Sequence, residues 1–314
     1  MVFVIVINNK IYDISELVTK VSWNDRLNDG CSKLEFSYKD NGLKIENGSN
    51  IQFIRNGIKI FNGFVFKYGW GKDKVVNVTA YDQLRYCKVK DSIVIMNDTV
   101  TTLVNRMCNY FLFKKGSITG TKYTLKTMVI NNQTWLDIIY TAISDTLTNT
   151  GKWYCLRDEF GHIALRDLGD LKLNLILGDG SSCYEYDYQK SIDDNFYNHI
   201  KIYSEGDSVK SSQMIGLEDT NSVKKFGRLQ YFEVMNNANA AQVKAKADIL
   251  LRFYNHEAES FTLNCIGDTS IRAGSSFYGM LEDVLGKNKL VNLFVKSVTH
   301  DFLPIHTMKI EVLI

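Results

Sequence analysis

Histidines next to a carboxylate are the residue types that hold a divalent cation or move a proton, and His300, Asp301 and His306 lie close together near the end of the chain. Pro304 turns the chain between the two histidines, and no third ligand follows at a useful spacing. A surface or hairpin role is therefore expected for them, and no metal site. Asp158-Glu159 and Asp193-Asp194 are paired acids. Neighbouring residues on a strand point to opposite faces, so neither pair can flank a scissile bond, and both are expected in turns. The six cysteines, at 31, 87, 108, 155, 183 and 265, form no Cys-x-x-Cys motif and read as buried, reduced thiols. Gly69-Trp70-Gly71-Lys72 ends a strand with no helix after it, so it is no phosphate loop. Gly-x-Ser-x-Gly and His-Glu-x-x-His are absent. No catalytic, cofactor-binding or metal-binding residue is assigned, no cofactor is expected, and the chain is read as a non-enzyme.

One further cluster has the composition of a binding platform. Tyr184, Tyr186, Tyr188, Phe196, Tyr197 and Tyr203 crowd a short region, and such rings can stack on sugars or bases. The alternative is cross-strand packing and contact between subunits, where tyrosine is enriched, and that reading is preferred.

These residues must be positioned by a largely β architecture. At 314 residues, with 45% hydrophobic and 23% charged side chains, the chain can form two or three domains with real cores. A net charge of +2 lacks the basic excess of a dedicated nucleic-acid binder, so no specific nucleic acid is expected as a partner. No apolar run reaches the ~20 residues of a membrane span. The opening MVFVIVINNKIYDI lacks a basic leader, so synthesis in the cytoplasm without a targeting signal is expected.

Leu34, Phe36 and Tyr38 alternate with polar residues; Gly48 follows, then a short strand, a long strand at 59–70 and a returning strand at 74–81. Phe261, Leu263 and Cys265 alternate in the same way, followed by Gly274, a short strand, a long strand at 290–302 and a final strand at 306–314. Gly48-Ser49-Asn50-Ile51 answers Gly274-Ser275-Ser276-Phe277, and Asn62-Gly63-Phe64-Val65 answers Asn292-Leu293-Phe294-Val295. This order reads as an internal duplication of a small antiparallel β-barrel. Helical spacing appears between the copies, at Asp98–Phe113 and Thr134–Leu147, and again at 238–254. The expected fold is mainly β with an α+β insert. It comprises a barrel at 1–88, an α/β insert at 89–190, and a second barrel at 191–314 with helix 238–254 packed on it. A polar loop is expected at 219–227, and a hairpin from 198–204 and 209–216 across Glu205-Gly206-Asp207.

Several segments together resemble the XkdQ/YqbQ-type hub proteins of phage tails and phage-derived contractile particles. They are Tyr12-Asp13-Ile14-Ser15-Glu16-Leu17-Val18 with Trp23, Leu34-Glu35-Phe36-Ser37-Tyr38, Phe61-Asn62-Gly63-Phe64-Val65 and Ala80-Tyr81-Asp82-Gln83-Leu84-Arg85-Tyr86. Ile192-Asp193-Asp194 with Asn198, Gly227-Arg228-Leu229-Gln230, His300-Asp301-Phe302 and His306-Thr307-Met308 continue the likeness through nearly the whole chain. The resemblance implies a baseplate hub similar to that of T-even contractile tails. Such a hub is a homotrimer whose two barrels per chain form a pseudo-six-fold ring between a six-fold tail tube and a three-fold spike. The implied partners are the central spike, the tube or its initiator, other baseplate wedge proteins and the tape-measure protein. The implied location is the baseplate of a phage or bacteriocin-like particle made in a bacterium. No catalytic residue is carried over. A tail-tip cell-wall hydrolase and a carbohydrate-binding tip protein are the competing readings. A conduit for nucleic acid should not grip phosphates, so its lumen is expected to be acidic or neutral.

Overall fold

Alternating apolar and polar side chains shape most of this chain into strands, seen in a computed structural model that describes residues 1–193, 195–205, 213–236, 238–287 and 289–313. Asn8 and Asn9, at φ 50° and 62°, turn the hairpin between β1 (Val2–Ile7) and β2 (Lys10–Asp13), since asparagine tolerates the left-handed region. The sheet continues with β3 (Val18–Arg26), β4 (Lys33–Lys39), β5 (Asn50–Arg55), β6 (Ile58–Trp70) and β7 (Val75–Tyr81). Their order is β3-β4-β7-β6-β5-β1-β2. The inward residues Phe3, Trp23, Phe36, Phe53 and Val78 share one buried core.

The next segment forms β8 (Lys90–Ile95), α1 (Val100–Phe111), β9 (Lys115–Ile118), β10 (Met128–Thr134), α2 (Trp135–Thr150), β11 (Tyr154–Asp158) and β12 (Ile163–Asp167). Thr99 caps α1 through a reciprocal pair with Thr102, and Thr134 caps α2 by accepting the Asp137 N–H. The helices bury Leu103, Val104, Met107, Ile138, Ile139 and Ile143 in a core of their own. β10 pairs with β8, and β12 lies between β11 and β9.

The chain then makes β13 (Lys172–Gly178) and β14 (Cys183–Ser191). Residues 187–261 form a second compact unit. Within it, β15 (His199–Glu205) pairs antiparallel with β16 (Gln213–Glu218) and parallel with β17 (Gln230–Asn236). The crossover between β16 and β17 carries α3 (Thr220–Phe226). α4 (Ala240–Tyr254) buries Val243 and Ala247 against Ile200 and Ile202. The chain returns through β18 (Ala258–Ile266), β19 (Ser276–Met280), β20 (Val291–Asp301) and β21 (Thr307–Leu313). These strands are ordered β14-β18-β21-β20, with β19 between β20 and β13.

The two β copies agree in their hydrogen bonds. Gly48 N–H donates to Val65 O at 2.8 Å, and Val65 N–H to Ser49 O at 2.9 Å. Gly274 N–H donates to Val295 O at 2.9 Å, and Val295 N–H to Ser275 O at 2.8 Å. The glycines share a φ of 87° and 84°. In each turn the serine hydroxyl accepts a backbone N–H at 3.3 Å, from Glu46 in one copy and Arg272 in the other. Both long strands carry a bulge directly after the valine, where the register with β7 or β21 slips. Asp40 N–H to Lys74 O (2.9 Å) and Gly267 N–H to His306 O (2.8 Å) match as well. By these bonds β4, β5, β6 and β7 correspond to β18, β19, β20 and β21, and β3 to β14 by the bonds Lys39 N–H to Leu17 O and Ile266 N–H to Ser182 O.

The mainly β class with an α+β insert therefore holds, with four differences in detail. The copies are not separate closed barrels, because the outer edge of β3 is taken by β20, in the register Ser297↔Arg26 to Asp301↔Ser22. One sheet of thirteen strands results. β13 and all of β14 but Ser191 fall within the expected insert range of 89–190, yet they pair with β19 and β18. The helix expected on the second barrel packs on β15 and β16 instead, since that sheet supplies the apolar partners of its buried stripe. The expected loop at 219–227 contains α3, because the Asp219 carboxylate accepts the Asn221 and Ser222 N–H groups and starts a helical turn. The expected turn residues Gly206 and Asp207, together with Val209 and Asp194, lie outside the described residues.

The equivalence of the two glycine turns is open to test. Gly48→Ala places a Cβ in open space, so only the positive φ opposes it, at a cost of roughly 1–2 kcal/mol. Gly274→Ala meets Cys155 Sγ at 3.1 Å in addition and is expected to cost more. Urea unfolding midpoints of the two variants should fall in that order.

Candidate assembly interface

A buried polar cluster forms where the two β copies and the insert meet. Arg272 lies in the turn before Gly274, and its Nε donates to Asp25 Oδ2 of β3 at 2.9 Å. Its Nη1 donates to the Asp158 carbonyl of the insert at 3.1 Å, and the guanidinium covers the Trp23 ring at 5.1 Å. One side chain from the second copy thus binds the first copy and the insert. Burial alone would lower the Arg272 pKa, but the charges of Asp25, Asp158 and Asp82 raise it, so it stays cationic.

The acids around it are structural. Asp82 follows β7 and accepts the Ser32 N–H at 2.9 Å and the Leu84 N–H at 3.0 Å, tying β4 to the first turn of the insert. Burial, followed by the charge of Asp158, pushes its pKa up. Asp158 accepts the Gly161 N–H at 2.5 Å with one oxygen. The Gln83 amide lies beside the other oxygen without sound hydrogen-bond geometry, leaving both atoms unsatisfied. Burial raises the Asp158 carboxyl to about 6. Glu159 instead turns to Arg157 (2.6 Å) and Arg166 (3.1 Å). The expected turn role of Asp158-Glu159 is therefore right for the chain path, and the burial of Asp158 is an addition to it.

The histidines are not at the surface. His300 is fully buried and stacks on Trp23 at 5.3 Å. Its Nε2 contacts the Ile271 carbonyl at 2.9 Å and its Nδ1 contacts His306 Nε2 at 3.0 Å. A carbonyl only accepts, so the neutral His300 donates from Nε2 and accepts at Nδ1, and His306 donates from Nε2. Burial lowers the pKa of both rings, that of His306 to about 4. Phe302 stacks on His306 at 4.4 Å, and Arg55 of β5 donates to the Phe302 carbonyl at 3.1 Å. Asp301 is exposed and faces away from the pair. The hairpin role expected for these histidines holds and the surface role does not, because burial turns the rings into a seam between the copies.

The tyrosine cluster divides. Tyr184 is exposed, and Tyr186 hydroxyl donates to Asp283 at 3.1 Å. Tyr188 packs edge-on against Phe261, and Phe196 against Phe226. Tyr197, Tyr231 and Tyr254 form a triangle with centroids 5.1–5.4 Å apart, inside the 187–261 unit. In the same unit the buried Asn198 clamps the chain by donating to Gly227 O and accepting the Leu229 N–H. No continuous aromatic platform results. All six cysteines are free thiols; Cys183 and Cys265 face one another across β14 and β18, and this contact lowers the Cys183 pKa to about 7.

A profile of YqbQ-like proteins matches residues 21–313. The chain belongs to the YqbQ-like family. The phage-like element PBSX protein XkdQ of Bacillus subtilis is similar to this chain, 29% identical over 274 residues, covering 85% of this chain and 82% of that protein. The 43 kDa tail protein of prophage MuSo2 from Shewanella oneidensis shares the fold over 100% of this chain and 98% of its own, with a TM-score of 0.70 at 13% identity. An E. coli type VI secretion component, described as similar to T4 bacteriophage tail proteins gp27 and gp5, covers 95% of this chain and 73% of its own, with a TM-score of 0.56 at 10% identity. The segments that carry the YqbQ-like resemblance include Trp23, Asp82, His300, Phe302 and His306, and these are the residues of the junction around Arg272.

Sequence reasoning missed Arg272 and Asp25. Their signal lay in the duplicated turn, because Arg272 stands two residues before Gly274. Arg272→Met strands the Asp25 carboxylate in the interior and should cost ~3–5 kcal/mol, read as a loss of thermal stability with the exposed Arg252→Met as control.

Asp158→Asn should act in the opposite sense. The folded-state pKa of Asp158 is raised, to about 6 from an ordinary 3.8, so the parent loses stability as pH rises between those values. The variant should gain at most ~3 kcal/mol above pH ~6, and the gain should shrink on acidification and vanish below the ordinary carboxylate pKa. A gain independent of pH would contradict this.

Proposed function

We propose that this chain is a structural baseplate hub of a phage or phage-like tail, acting as a scaffold rather than an enzyme. One observation carries the reading: the chain holds two copies of one β unit, matched in the hydrogen bonds of their glycine turns and strand ends, and joined edge to edge through β3 and β20. A chain with two equivalent units supplies two positions of a ring. Three such chains supply six, which suits a junction between a six-fold tube and a three-fold spike. Closed rotational symmetry is the usual outcome for a homo-oligomer. The names of the similar tail proteins support the same setting, with a spike, a tube or tube initiator and other baseplate proteins as partners.

The charge pattern supports a conduit. The sheet face opposite the cores runs across both copies and mixes Lys20, Lys67 and Lys309 with Glu35, Asp301 and Glu311. Lys33–Glu35 (2.9 Å) and Lys296–Glu311 (2.6 Å) neutralise part of it locally. Such a face would let phosphates pass without the counterion release that a basic lumen provides. The acids nearest one another, around Arg272, are buried and committed, which disfavours a hydrolase. The divided tyrosines disfavour a sugar platform.

Native mass spectrometry of the purified full-length protein tests the reading. A trimer is expected at high protein concentration. A hexamer, or a chain that stays monomeric throughout, would refute it.

A further inference from the structure

The duplication leaves each chain with two strand edges whose counterparts are already paired. In β20, the half beyond the bulge is covered by β3, between the bonds Leu27 N–H to Lys296 O (2.8 Å) and Phe302 N–H to Val21 O (2.9 Å). Asn24 Nδ2 donates to Thr299 Oγ1 at 2.8 Å across that joint. The equivalent half of β6, from Phe66 to Trp70, is paired with β7 alone among the described residues, since β5 reaches only to Phe64 and Val65. The equivalent of β3 is β14, which has β18 as its one neighbour among the described residues. Unpaired edges of this kind are templates for another strand.

The correspondence of β14 with β3 extends to single residues. Lys39 N–H to Leu17 O (3.0 Å) and Ile266 N–H to Ser182 O (2.9 Å) are the same bond in the two copies, so Cys183 stands where Val18 does. Each strand then exposes its second and third residues, Thr19-Lys20 and Tyr184-Glu185, and resumes alternation after them, as far as Gln189 in β14, where Lys190 is exposed and its counterpart Asp25 is buried. Tyr188, Gln189 and Lys190 thereby correspond to Trp23, Asn24 and Asp25. Glu46, two residues before Gly48, corresponds to Arg272.

Resting on the ring reading above, we propose that β14 of one chain adds antiparallel to the outer half of β6 of a second copy, repeating the β3–β20 joint. Gln189 then lies opposite Gly69, as Asn24 lies opposite Thr299. Tyr188 stacks on Trp70, as Trp23 stacks on His300. This covers Trp70, which is 69% exposed in the single chain. Lys190 meets Glu46 with the charges reversed relative to the Asp25–Arg272 pair, so the contact remains attractive. Lys190 lies 2.9 Å from Glu259 in the free chain, on an exposed surface, and can bridge both carboxylates. A second copy is the occupant because its own duplicated half already fits the same edge.

Disulfide trapping in the full chain tests the register. A Cβ at Gly69 meets nothing within 4 Å, so Gly69→Cys is tolerated. Combined with Gln189→Cys in a Cys183→Ser background, mild oxidation should give covalent dimers and trimers on a non-reducing gel. Gly69→Cys with Tyr184→Cys, out of register, should give at least tenfold less. Trp70→Ala, at an exposed position that leaves the fold intact by circular dichroism, should weaken assembly about tenfold or more. Trimers by native mass that do not cross-link at Gly69 and Gln189 would overturn this joint while leaving the ring intact. A chain that neither assembles nor cross-links would overturn the joint and the ring together.

Discussion

A guanidinium buried among three carboxylates is the constraint on which this structure turns. Arg272 neutralises Asp25, holds the backbone at Asp158 and lies against Trp23. Asp25 and Trp23 belong to β3 of the first copy, Asp158 to β11 of the insert and Arg272 to the second copy, so the relative placement of the three parts is set by one set of charge-assisted hydrogen bonds. Buried ion pairs often add little net stability over apolar packing, yet they punish wrong arrangements heavily. Here the apolar cores of the first copy and of the insert are separate clusters, with Phe302 of the second copy added to the first. The polar junction specifies how they combine, and the His300–His306 seam and the Arg55–Phe302 contact reinforce the same register between β3 and β20.

That register matters because the two copies are equivalent. An intrachain joint between equivalent halves defines the rotation that takes one half into the next, and in the proposed assembly repeated use of the same joint between chains would close the ring. Along the chain the insert lies between the two copies, whereas the 187–261 unit interrupts the second copy between β14 and its remaining strands. Loops of a repeated β unit thus carry the added modules, while the repeated strands keep their pairing.

Much of this was legible in the sequence. Glycine two residues before a short strand, with an alternating strand on either side, marked both copies because positive φ and a period of two are local demands. The helix at Val100–Phe111 was visible from its stripe and from Thr99. Partner choice was not visible in the same way. Helix 238–254 has an apolar face that any sheet can cover, and only the folded chain shows that β15 and β16 do so. The polar run at 219–227 hid a helix whose formation depends on the Asp219 cap. The histidines and Asp158 looked like surface chemistry because burial is a property of the assembled sheets rather than of neighbouring residues. β13 and β14 were assigned to the insert because a strand does not declare in its own sequence which sheet it will join.

Electron cryomicroscopy of the assembled ring bears most directly on the claim that the two halves are equivalent parts of one closed structure. The account predicts three chains per ring, six β units at one radius, and joints between chains that superpose on the β3–β20 joint within a chain. A ring in which the Gly48 and Gly274 turns lie at different radii, or in which the chains meet through the insert alone, would contradict it.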